Sequence, residues 1–69
     1  MKKFSELTNE LTVVDFYATW CGPCKMIAPV LEELKNIDVI KVDVDEEREL
    51  TMKFNISAVP TLILMKNKD

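Results

Sequence analysis

Val13-Val14-Asp15-Phe16-Tyr17-Ala18-Thr19-Trp20-Cys21-Gly22-Pro23-Cys24-Lys25 is the stretch on which the fold turns. Val13 to Ala18 is a compact run of β-branched, aromatic and small residues bounded by Thr12 and Thr19, which suits a strand buried on both faces. Asp15 in its middle conflicts with that pattern, and such conflicts concentrate at functional sites. After Trp20 the apolar period changes to 3.6. Ile27, Val30, Leu31 and Leu34 mark one face of a helix from about Gly22 to Lys35, with Pro29 inside it predicting a bend rather than a stop. A strand running directly into a helix with two cysteines at the junction is therefore the organising unit.

Working outward, Val39 to Val44 alternates Ile40, Val42 and Val44 against Lys41 and Asp43, a second strand. Strand, helix, strand implies a right-handed crossover and parallel pairing. Asp45 is placed to cap a following helix, with Glu46 and Glu47 in its first turn, Leu50 and Phe54 on its buried face, Lys53 near its end and Asn55 as a left-handed stop. Thr61 to Met65 forms a third strand after the break at Val59-Pro60. Upstream, Phe4, Leu7 and Leu11 fall at helical spacing, predicting a short helix over 4–10. The fold class is α/β, a mixed three-stranded sheet ordered 39–44, 13–18, 61–65 with about three flanking helices.

The chemistry is carried by the cysteines. At the first turn of a helix, residues three apart share a face, so Cys21 and Cys24 are placed to bridge. Cys21, at the cap position, meets unpaired N–H groups and the positive end of the helix dipole, which favour its thiolate and make it the attacking sulfur. Cys24, a turn further in and less exposed, resolves the mixed disulfide. Pro23 loses nothing in a first turn without N–H partners and stiffens the loop. The competing use of this spacing, half of a zinc site, lacks ligands: the chain has two cysteines and no histidine, so no metal site is expected within one chain.

The same residues resemble the thioredoxin active-site signature, and Met26-Ile27-Ala28-Pro29 continues it. Lys41-Val42-Asp43-Val44-Asp45 and Ile56-Ser57-Ala58-Val59-Pro60-Thr61 are similar to the family's later segments in order and spacing. The resemblance implies a dithiol/disulfide oxidoreductase that reduces protein disulfides with no bound cofactor, recharged by a thioredoxin reductase-type electron donor. It also implies proton exchange between Asp15 and Cys24, a lysine at Lys41 able to approach that carboxylate, and a cis bond between Val59 and Pro60 against the cysteine pair. Substrate contacts are implied for Trp20, Gly22, Pro23, Val59 and Pro60. Beside these stand plainer readings: Asp15 at a wet strand end, Lys41 as a solvated strand lysine, Trp20 in the core and Pro60 as a loop breaker.

Against the family pattern, residues 1–69 are expected to form one incomplete thioredoxin-like domain, without the first strand, the last strand and the C-terminal helix. A truncated folding fragment or interaction module with little turnover is therefore the alternative function. Strand 61–65, apolar on both faces at a sheet edge, predicts self-association. A 69-residue chain buries only about 60% of the surface its unfolded form exposes, so stability is expected to be marginal. The net charge of −3 and the absence of a basic stripe argue against nucleic acid and anionic membrane as partners. Lys2 and Lys3 are followed by polar residues where an export signal needs an apolar stretch, and the longest apolar run, Leu62 to Met65, is far short of a membrane span. The expected location is cytoplasmic.

Overall fold

In the computed structural model, which describes residues 9–66, five elements follow one another: β1 (Leu11–Tyr17), α1 (Gly22–Glu32), β2 (Ile37–Asp43), α2 (Arg48–Lys53) and β3 (Thr61–Lys66). The sheet is ordered β2-β1-β3, with β1 parallel to β2 and antiparallel to β3. This is the predicted mixed sheet with the predicted central strand. Thr12 to Phe16 are all buried, as expected of a strand covered on both faces. The helix predicted over 4–10 falls almost wholly outside the described residues; Asn9 and Glu10, which are described, form a bend.

Register sorts the side chains onto two faces. Asp15 lies opposite Lys41 on β2 and opposite Leu62 on β3. The other face carries the core: Val14, Phe16, Ile40 and Val42 are buried, with Leu50, Phe54 and Ile56 from α2 and the residues just after it, and Ile63 and Met65 from β3, packed against them. The Phe16 and Phe54 rings meet at 5.6 Å between centroids in a tilted arrangement. Burying side chains of this size contributes about 1.5–3 kcal/mol each, and it fixes which face of β1 points toward Lys41.

Several boundaries differ from expectation, each for a local reason. β1 and β2 both begin two residues early because the parallel ladder extends through Leu11–Ile37 and Thr12–Asp38. Asp38 is tolerated in a buried position because its carboxylate accepts from the Asn9 backbone N–H at 2.8 Å and from Asn9 Nδ2 at 3.3 Å. α1 runs through Pro29 but stops at Glu32 rather than Lys35. There its last turn tightens, with Glu33 and Leu34 donating to Val30 and Leu31 at 3.2 Å, and Asn36 takes a left-handed φ of 64°. The inward face of α1 is Cys24 and Leu31, flanked by half-buried Ile27 and Ala28, whereas Val30 and Leu34, expected to be buried, face outward.

α2 begins at Arg48, with Glu47 at its N-cap position and no side-chain capping hydrogen bond, and not at Asp45. The preceding turn is built on Asp43: its carbonyl accepts from Glu46 and Glu47 at 3.2 and 2.8 Å, and its Oδ1 accepts from the Asp45 N–H at 2.9 Å. Glu46 and Glu47 thus precede the helix, and Glu49 is the acidic residue of its first turn. The predicted end holds, with Lys53 in the last turn and Asn55 at a left-handed φ of 55°.

Candidate active site: the β1–α1 junction

The junction is tied down before the cysteines arrive. The Val44 N–H donates to the Tyr17 carbonyl at 2.9 Å, extending the β1–β2 pairing, and the Cys21 N–H donates to the Ala18 carbonyl at 3.1 Å, closing a turn over Thr19 and Trp20. Cys21 then sits at the N-cap of α1 in extended geometry, with φ −91° and ψ 110°, and its Sγ accepts from the Cys24 N–H at 3.2 Å. Sulfur is therefore the capping acceptor of this helix, the role usually filled by Ser, Thr, Asp or Asn oxygen. Pro23 occupies the first turn, where its missing N–H has no intrahelical use.

Cys21 and Cys24 are joined by a disulfide across a Cα–Cα distance of 5.3 Å. They are 5% and 4% exposed, so in this form accessibility does not separate them as expected; the cap position of Cys21 does. Ala18 completes the buried cluster, with Tyr17, Val44 and Val59 packed around it. The Val59–Pro60 bond is cis, as the family resemblance implies, and both residues are half-buried. Gly22 and Pro23 are exposed at the helix start. A Cβ on Gly22 would meet open space, so no steric demand requires glycine there.

Trp20 is 69% exposed, which excludes the core reading. Its Nε1–H donates to Asp45 Oδ2 at 2.9 Å, so the indole is held although it is open to solvent. Beside it runs a groove of about 250 Å³ lined by Trp20, Val44, Thr51, Ser57, Ala58 and Val59. Asp45, read from the sequence as a helix cap, is instead the anchor of this tryptophan. The only signal for that pairing was a carboxylate just past the end of a strand parallel to the one leading to Trp20.

Asp15 is 1% exposed and neither carboxylate oxygen has a hydrogen-bond partner among the described residues, which removes the wet strand-end reading. Desolvation pushes its carboxyl above the ordinary carboxylate range, opposed by the attraction of Lys41. Lys41 does not settle on that carboxylate: its Nζ lies 4.9 Å from the centroid of the Tyr17 ring. Burial, and then the negative charges of Asp43, Glu46 and Asp15, push the Tyr17 phenol up, so its ring stays neutral. A cavity of about 350 Å³ lined by Tyr17, Ala18, Cys24, Ala28 and Lys41, among others, connects the inner cysteine with this lysine. By pattern Tyr17 reads as a strand hydrophobe, although its position two residues after Asp15 places both on one face. Among the described residues no group of three or more His, Cys, Asp or Glu side chains is disposed to hold a metal ion.

The Thioredoxin family model matches residues 2–69. The chain is 48% identical over 68 residues to the thioredoxin of Staphylococcus epidermidis, a match covering 91% of this chain and 65% of that protein. It is 54% identical over 63 residues to thioredoxin-1 of Saccharomyces cerevisiae, covering 86% and 61%. Among solved structures, Schistosoma mansoni thioredoxin superposes with a TM-score of 0.79 at 51% identity, covering 96% of this chain and 64% of that one. The oxidised thioredoxin of Plasmodium falciparum gives 0.75 at 54% identity, covering 86% and 61%. The chain thus spans just under two thirds of the length of these relatives.

Proposed function

The chain belongs to the thioredoxin family, and from that premise we propose that it is a thiol–disulfide oxidoreductase that reduces protein disulfides through Cys21 and Cys24. The observation that carries the reading is the bridge between these sulfurs at the N-terminus of a helix, beside a buried carboxyl without partners. In the reduced chain the Cys21 thiolate, favoured by the helix end, attacks one sulfur of a substrate disulfide. A new S–S bond joins Cys21 to the substrate, and the departing substrate sulfur leaves as a thiolate that takes up a proton. Asp15, as carboxylate, accepts the Cys24 proton; the Cys24 thiolate then attacks Cys21 Sγ and expels the second substrate sulfur as a thiolate, which is protonated as Asp15 gives its proton back. Two electrons have moved to the substrate, now a dithiol, and the chain is left with the Cys21–Cys24 disulfide.

Trp20, Gly22, Pro23, Val59 and Pro60 form the docking surface in this reading, with the groove beside Trp20 receiving an extended segment next to the disulfide under attack. Restoring the dithiol requires an external two-electron donor of the thioredoxin reductase type, and the cycle needs no bound cofactor. The cytosol, which keeps thiols reduced, is the compartment that suits it. Among the described residues no helix is long and apolar enough to cross a membrane.

A second reading, an interaction module with little turnover, is favoured by one observation: Leu62 and Leu64 on β3 are 47% and 64% exposed. Turbidimetric reduction of insulin by dithiothreitol separates the two. The oxidoreductase accelerates precipitation of the insulin B chain and Cys21→Ser abolishes the acceleration. A wild-type rate equal to that of Cys21→Ser would establish the module instead.

A further inference from the structure

Lys41 and Asp15 are directly opposed in the β1–β2 register, and attraction between them is expected in an interior poor in water. Yet the ammonium rests over the Tyr17 ring at 4.9 Å, and both Asp15 oxygens are without hydrogen-bond partners among the described residues. Tyr17 and Asp15 leave β1 on the same face, two residues apart, so one lysine has two binding partners within its reach and occupies the aromatic one. The electron-rich face of a neutral tyrosine attracts an ammonium without accepting a proton from it.

We propose that Tyr17 is a positioning residue for the proton-transfer step: its ring face holds the Lys41 ammonium and so keeps it off the Asp15 carboxylate. The catalytic consequence rests on the dithiol reading above. A carboxylate already joined to an ammonium is a weak base and gains little by accepting the Cys24 proton, whereas one left without a partner is a better base. Asp43 on β2 and Glu46 just beyond it bear on the Tyr17 phenol, Lys25 and Cys24 from α1 line the cavity that Tyr17 and Lys41 share, and apolar Leu62 lies opposite Asp15 on β3. None of these occupies the ring face. Tyr17 therefore decides how much of the nearest positive charge Asp15 feels.

The test is an NMR titration of the ¹³C-labelled Asp15 carboxyl in the full chain, held in the disulfide form so that no thiol titrates and no turnover is needed. A failure of the oxidoreductase reading would thus leave this result standing, and the reverse is also true. Tyr17→Phe, which keeps the ring face, leaves the Asp15 midpoint where it is. Tyr17→Leu releases Lys41 onto the carboxylate and lowers the midpoint by about one unit. In a Lys41→Met background Tyr17→Leu produces no such drop. An unchanged midpoint in Tyr17→Leu, an equal drop in Tyr17→Phe, or a drop that persists with Lys41→Met overturns the proposal. Should Tyr17→Leu fail to fold, the wild-type chain still decides: the Lys41 ε-methylene protons are shifted upfield by the ring and show cross-relaxation with it, and random-coil shifts without cross-relaxation overturn the proposal.

Discussion

Replacing Asp15 by Asn should stabilise the fold, and by more as the pH rises. The side chain is 1% exposed in the central strand, and neither oxygen is hydrogen-bonded. Leaving a buried polar group without partners costs about 1–3 kcal/mol, and more when it is charged. Lys41 tempers the charged figure by attracting the carboxylate. A gain of about 2 kcal/mol for Asp15→Asn above neutral pH follows, equal to roughly 8–16 °C in melting temperature for a chain of this size. The sign of the pH dependence is set by burial, which raises the folded carboxyl above the ordinary 3.8, so the folded chain holds this proton more tightly than the unfolded one. The wild type keeps the associated stability below pH 3.8 and loses it as pH rises through the raised folded value. The variant has no such loss, so the two melting curves converge in acid and separate in base. Urea and thermal melts at pH 4, 6 and 8 measure this. A variant less stable than wild type at pH 8, or a difference that does not change with pH, would refute the account of an unpartnered carboxylate.

The two sulfurs should behave unequally once the bridge is opened. Iodoacetamide at neutral pH labels Cys21 well before Cys24 in the reduced chain, and Cys24→Ser accumulates mixed disulfides with substrate; equal labelling rates followed by mass spectrometry would remove the assignment of attacking and resolving roles. β3 leads to an expectation about association: Leu62 and Leu64 on its outer face are 47% and 64% exposed, so sedimentation velocity over a hundredfold concentration range should show concentration-dependent self-association, weakened by Leu64→Lys. A monomer at every concentration, with a melting temperature independent of it, would mean that this strand is adequately protected.

The central strand and the cysteine junction were legible because hydrophobic period and helix-start chemistry agree there, and the strand–helix–strand order left one plausible handedness. Polar residues that find partners far away in sequence hid the rest. Thr12 reads as a strand boundary and Asp38 falls just outside the second predicted strand, yet both are buried, and Asp38 is satisfied by Asn9, 29 residues distant. Asp45 is an ideal helix cap by local chemistry, but Trp20, 25 residues away, holds its carboxylate. On α1, Val30 and Leu34 fit an apolar stripe as well as Leu31 does, and only the position of the sheet tells them apart. The unpartnered state of Asp15 depends on where Lys41 goes, and no spacing rule could show that a tyrosine two residues away would take it.

Trp20 is the chain's single tryptophan, adjacent in sequence to Cys21, and its indole N–H is held by Asp45. All indole fluorescence therefore originates from one oriented ring beside the sulfur pair. A disulfide is an electron acceptor for an excited indole and two thiols are far weaker ones, so opening the bridge should brighten the emission. The protein carries its own optical gauge of oxidation state, and the making and breaking of its sulfur–sulfur bond can be timed in a stopped-flow fluorimeter without a dye, a label or a coupling enzyme.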